Sequence, residues 1–171
     1  MRTFTKILVL GLLVLLLAGC GKNNTAAARV ARAASKIADF DLPEGYKADF
    51  AADLLAYSVV AYAPSEGHGH LYLIQSEREE DGRRLDSALG GMLPGNYDVR
   101  SRMKVLERRP ISVRGHETTL IITEGVNANG DTYRQAVASF PGKGGPAVVV
   151  ISELIDGWDE TVVEAFIESL R

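Results

Sequence analysis

The chain opens on an apolar block and then settles into short alternating segments. Residues 7–17 are unbroken aliphatics apart from Gly11, eleven positions in all. A helix needs roughly 18–20 apolar residues to cross a bilayer, so this block is too short to span one. From residue 37 onward, runs of β-branched and aromatic residues are punctuated by Gly, Pro and Asn. Residues 37–42 predict a short strand closed by Pro43-Glu44-Gly45. Residues 46–51 and 55–63 predict two more, and 70–75 (HLYLIQ) a fourth, followed by a polar run at 77–82. The period changes at 83–91. Leu85, Ala88, Leu89 and Met92 are spaced as one helical face, with Gly90-Gly91 as the stop.

Alternation returns at 99–105, with Val99, Met103 and Val105 on one face and Arg100, Arg102 and Lys104 on the other. Pro110 interrupts, and 111–113 leads to Arg114-Gly115. Residues 118–124 and 132–140 predict two strands around Asn129-Gly130, the strongest hairpin signal in the chain because both residues tolerate positive φ. Residues 141–146 form a second Gly-rich turn. The run at 147–151 (AVVVI) shows no alternation, which predicts a central strand covered on both faces. At the end, Val162, Val163, Phe166, Ile167 and Leu170 line one side of a helix, with Glu164 and Glu168 opposite. Asp159 is its expected N-cap, and Arg171 suits the negative end of the helix dipole.

This order predicts an α+β domain over residues 37–171, an antiparallel sheet with a middle helix and a C-terminal helix packed on it. Residues 20–36 differ in composition. Ala27, Val30, Ala31 and Ala34 share one helical face, but the face is thin, so a short docked helix and a flexible tether both fit. Lys22, Arg29, Arg32 and Lys36 give this segment a positive charge that would favour an anionic lipid surface.

The N-terminal block gains meaning from its flanks. Arg2 and Lys6 precede it and small residues end it, the arrangement of a secretory signal peptide over residues 1–19. Cys20 is the only cysteine, so no internal disulfide is available to it. Leu17-Ala18-Gly19-Cys20 resembles the lipobox of bacterial lipoproteins. The resemblance implies cleavage just before Cys20, a diacylglyceryl thioether on its sulfur and a further acyl chain on its new amino group. Two or more chains hold a protein to a membrane stably where one does so only marginally. By resemblance to enterobacterial sorting, Gly21 in place of Asp implies the periplasmic face of the outer membrane. The chain from Cys20 has 152 residues, with 17 basic against 22 acidic, a net charge of −5. That balance argues against a nucleic-acid partner.

Three further stretches, Phe40-x-Leu42-Pro43-x-Gly45-Tyr46, Ile111-Ser112-Val113-Arg114-Gly115 and Ala165-Phe166-Ile167-Glu168-Ser169-Leu170, together resemble the PsbP-like α/β/α sandwich, which also occurs in small bacterial lipoproteins. The resemblance spans residues 37–171. It implies architecture and carries no catalytic residues with it.

Motifs that bear chemistry are few. Ser101-Arg102-Met103-Lys104 matches the S-x-x-K of acylating serine enzymes, with Lys143-Gly144-Gly145 imitating the downstream K-T-G. The motif falls in a strand pattern rather than at a helix start, and S-D-N is missing. His68-Gly69-His70 places two imidazoles two residues apart, on one side of an extended segment, where both could grip a metal ion. His116 is the only other histidine, and no third ligand is identifiable. The charged run at 77–81 lacks the ligand pattern of a calcium loop. Arg100, Arg102 and Lys104, supported by Arg108, Arg109 and Arg114, form a candidate anion-binding surface for phosphate or carboxylate groups of the envelope. The expectation is therefore a lipid-anchored envelope lipoprotein that binds or scaffolds an anionic polymer or another envelope protein, without catalysis or cofactor. The alternative is a metal- or ligand-sensing lipoprotein using His68 and His70.

Overall fold

A computed structural model describes residues 25–54, 56–77, 103–126 and 129–171. Helix α1 (Ala26–Ala34) is followed by strands β1 (Tyr46–Leu54), β2 (Tyr57–Pro64), β3 (His70–Ser76), β4 (Lys104–Val113), β5 (His116–Val126), β6 (Thr132–Pro141) and β7 (Pro146–Leu154). A single 3₁₀ turn, Ile155–Gly157, leads into helix α2 (Glu160–Ser169). All seven strands join one antiparallel sheet in the order β1-β2-β3-β7-β6-β5-β4. Two meanders, β1–β3 and β4–β7, thus meet where β3 pairs with β7.

Period 2 explains why β7 is central. Ala147, Val149 and Ile151 point to one face and join the main core with the helices, while Val148 and Val150 point to the other. Burial on both faces removes any need for polar alternation. On the first face, Val30 and Ala34 of α1 and Val163, Phe166 and Ile167 of α2 pack over Val60, Leu71, Leu73, Leu120 and Ile122. The second face holds a smaller cluster around Val59, Ala61, Tyr72 and Ile74, to which neither helix contributes.

The expected α+β sandwich is therefore corrected. Strands take up 54% of the described residues and helices 18%, so the fold is mostly an antiparallel sheet with two short helices, both on one face. The strands run longer than their patterns predict because a ladder continues wherever a neighbour offers hydrogen bonds. Pro110 does not interrupt β4, which passes through it opposite Thr119. β4 lies at the sheet edge, where a residue without an N–H leaves no neighbour unpaired. Conversely, 37–42 is not a strand. It instead holds the C-terminus through paired Asp39 and Arg171 backbone hydrogen bonds of 2.8 Å each, reinforced by Arg171 on Asp41 at 2.9 and 3.0 Å. The predicted helix at 83–91 lies outside the described residues.

One local feature matches its sequence signal, and one turn emerges from the structure. Asp159 caps α2, accepting from the N–H groups of Thr161 and Val162. Arg114-Gly115 makes the two-residue β4–β5 turn, with φ of 53° and 75°, the mirror-image geometry that suits a twisted hairpin. Between the open alternatives for 26–34, α1 is a docked helix. Thr25 caps it and Val30 is only 1% exposed.

Candidate functional site

The same period that makes β7 apolar carries a charge onto the core-facing side at its end. After Ala147, Val149 and Ile151, the next residue on the helix-bearing face is Glu153, which is 9% exposed. Directly opposite on β6 stands Arg134, opposite that on β5 Glu124, and opposite that on the edge strand Lys104. Four strands thus present a row of alternating charge. Within it, Arg134 and Glu124 pair at 2.7 Å, and the Arg134 guanidinium lies 5.7 Å from the centre of the Trp158 ring. Glu153 does not share in this pairing. Its Oε1 accepts the Leu154 backbone N–H at 2.9 Å, and among the described residues no cation pairs with it.

Glycines make room for this carboxylate. A Cβ on Gly69 would overlap the Glu153 carboxyl and come within 2.9 Å of the Ser152 carbonyl; at Gly157 it would sit 3.2 Å from the Glu153 stem, and at Gly67 it would be 3.8 Å from both oxygens. Beside the carboxylate is a cavity of about 220 Å³, whose walls include Glu44, Tyr46, Glu66, Glu153, Trp158 and Val162. Among the described residues, no Lys, Arg or His lines it. Burial, and then the Glu153 charge, raises the Tyr46 phenol above its ordinary value, so it stays protonated at neutral pH. The Trp158 indole Nε1 is buried without a hydrogen-bond partner among the described residues. The Asp159 carboxylate is engaged in capping α2. Val162 differs from its expected role. It is 38% exposed and lines the cavity instead of filling the core.

Such a pocket can accept hydrogen bonds from a ligand at Glu153 and pack an apolar body on Trp158 and Val162. Sequence reasoning passed over Glu153. Its signal was a lone acid at the end of an apolar strand, spaced by 2 from Ile151; of the nearby glycines, Gly67 is explained by its φ of 107°, while Gly69 answers to the space that the carboxyl fills.

The residues singled out from the sequence fall elsewhere. His68 is exposed in a bend, and β3 begins only at His70, so the shared-side geometry of an extended segment does not reach both imidazoles. His70 instead lies 3.6 Å from Asp49 and stacks on Tyr72, ring centres 5.5 Å apart. Among the described residues, no three His, Cys, Asp or Glu side chains gather as a metal site. Of the basic stripe, Lys104 opens β4, exposed and opposite Glu124. Arg100, Arg102 and the lipidation residue Cys20 lie outside the described residues. Two of the supporting arginines are already engaged: Arg109 pairs with Glu107, Glu160 and Glu164, and Arg114 donates to the Pro141 carbonyl at 2.5 Å. Arg108 stays exposed. No helix among the described residues is long and apolar enough to cross a membrane. No protein-family model matches the chain, and no curated protein matches it.

Proposed function

We propose that this protein is a lipid-anchored lipoprotein of the bacterial cell envelope whose domain is a binding module, taking a small ligand into the pocket beside Glu153. The anchor rests on the Arg2/Lys6 start, the short apolar block and Leu17-Ala18-Gly19-Cys20. Gly21 after that cysteine supports the periplasmic face of the outer membrane.

The single observation that carries the binding reading is Glu153. A carboxylate buried to this degree is normally paired, because an isolated charge in a low-dielectric interior is costly to maintain. Here the cation that stands opposite turns to Glu124, and the carboxylate faces a glycine-bordered cavity on the rigid end of a sheet. Binding groups retained at a cost in stability are a common sign of a functional site. Binding in place of catalysis fits a lining whose other well-placed acid, Asp159, is committed to a helix cap.

Two measurements test the two halves. Cys20→Ser should abolish incorporation of labelled palmitate and leave an uncleaved precursor; equal labelling of both proteins overturns the anchor. Trp158 is the only tryptophan, so its emission reports on the pocket alone. Titration with amino acids, amino sugars and soluble peptidoglycan fragments should give a saturable emission change and a higher Tm with at least one of them. A flat response to all of them at millimolar concentration overturns the binding reading.

A further inference from the structure

We infer that the pocket beside Glu153 selects an organic cation, an ammonium group carried on a compact apolar body. The inference rests on the binding reading and adds the chemical class of the ligand. Four carboxylates, Glu44, Glu66, Glu153 and Asp159, line the cavity, and among the described residues no basic side chain does. The decisive member is Glu153, nine-tenths buried and without a cation among the described residues. Charge attraction is several-fold stronger at such a position than in bulk water, because the effective dielectric is lower. Three glycines around its carboxyl clear space where side chains would otherwise close over it.

A metal ion is the obvious rival. It needs three or more ligand atoms converging on one point at about 2–2.6 Å. No three acidic or histidine side chains among the described residues do so. The acids are instead spread around a cavity of about 220 Å³ whose remaining walls include Pro64, Ile151, Trp158, Val162 and Val163. That distribution suits a cation with a body. The ammonium donates to Glu153, the outer acids Glu44 and Glu66 contribute field, and the apolar part lies against the indole and the valines. An anionic ligand would meet four carboxylates here, and the nearby Arg134 is already paired with Glu124, so the anionic-polymer surface expected near Lys104 and this pocket address different partners.

The test compares three probes of one shape, cyclohexylammonium, cyclohexanol and cyclohexanecarboxylate, titrated against the full lipidated protein in detergent and followed by Trp158 emission. The ammonium should bind at least tenfold more tightly than the alcohol, and the carboxylate should not saturate. Glu153→Gln keeps the acceptor for the Leu154 N–H and should reduce the ammonium to the affinity of the alcohol. Should that variant fail to fold, Glu44→Gln with Glu66→Gln, both at exposed positions, should still weaken the ammonium about threefold and leave the alcohol unchanged. Equal binding of ammonium and alcohol, or displacement of the ammonium by stoichiometric Zn²⁺, overturns the inference. A saturable response to a neutral or anionic compound with none to cyclohexylammonium overturns the inference and leaves the binding module standing. Silence towards every compound in both sets overturns both.

Discussion

Arg134 and Glu153 face each other directly across the β6–β7 ladder, yet they do not form the ion pair their positions invite. Arg134 turns to Glu124 at 2.7 Å, and Glu153 is left with one backbone N–H. A charge buried in this way opposes folding, so removing it should help. Glu153→Gln is expected to raise stability by about 1 kcal/mol, or about 2–4 °C in Tm for a chain of this size. Calorimetry checks this, and a lower Tm would show that Glu153 is satisfied in some other way.

The other half of the relationship predicts a loss. Arg134→Ala removes a half-buried ion pair and the guanidinium beside the Trp158 ring. Together these are worth about 1–2 kcal/mol. Urea unfolding should show the lower midpoint, and Trp158 emission should move to longer wavelength as water reaches the ring. An unchanged emission maximum would mean that the cation does not cover the indole.

Gly69→Ala should act on the pocket from the opposite wall. Its Cβ would occupy the space of the Glu153 carboxyl and press on the Ser152 carbonyl, which is backbone and cannot swing away. A cost of about 1–3 kcal/mol is expected, with loss of ligand response. Wild-type stability would show that Glu153 has another place to go.

The N-terminal boundary of the folded unit can be tested by truncation. A chain beginning at Thr25 keeps the cap and all of α1, while one beginning at residue 37 loses Val30 and Ala34 from the core. Val30 alone is worth about 1.5–3 kcal/mol of burial. The longer chain should melt cooperatively, and the shorter one at a clearly lower temperature. Equal Tm values would make α1 an appendage.

Alkaline pH should unfold the protein through its tyrosines. Burial, with the Asp49 charge adding to it, pushes the Tyr72 phenol up to about 12, and burial raises Tyr46 and Tyr62 as well. The unfolded chain releases these protons near pH 10 while the folded one holds them. Stability is therefore intact below about pH 10 and falls as the pH rises towards 12. At about 1.4 kcal/mol per unit, Tyr72 alone accounts for about 2–3 kcal/mol by pH 12. Tyr72→Phe should flatten that limb of a stability–pH curve; the same slope in both proteins would place the titration elsewhere.

Much of the sheet was legible residue by residue. HLYLIQ, the segments flanking Asn129-Gly130, and AVVVI each became a strand within one to three residues of the pattern. The misreadings share one cause. The pattern predicts a break at Pro110 and a strand at 37–42, and neither forms, because a local pattern does not say whether a neighbour is present. At the sheet edge β4 could carry the proline, and 37–42 met the chain terminus instead of a ladder. The histidine pair failed for a similar reason, since the bend before β3 separates two residues that an extended chain would have aligned.

What the sequence alone determined is local. The Asp159 cap and the strands at HLYLIQ and AVVVI depend on a few adjacent residues, and each can be read without knowing what lies nearby. Only the tertiary structure decided that β7 lies between β3 and β6. With that settled, Glu153 was brought against Gly67 and Gly69, Arg134 was turned towards Glu124, and Val162 was left at the mouth of a cavity. A carboxylate at the end of an apolar strand has the same letters whether it meets water, a cation or a glycine-lined hollow. Its chemistry is set by the dielectric and the partners around it, and those come from strands far away in the chain.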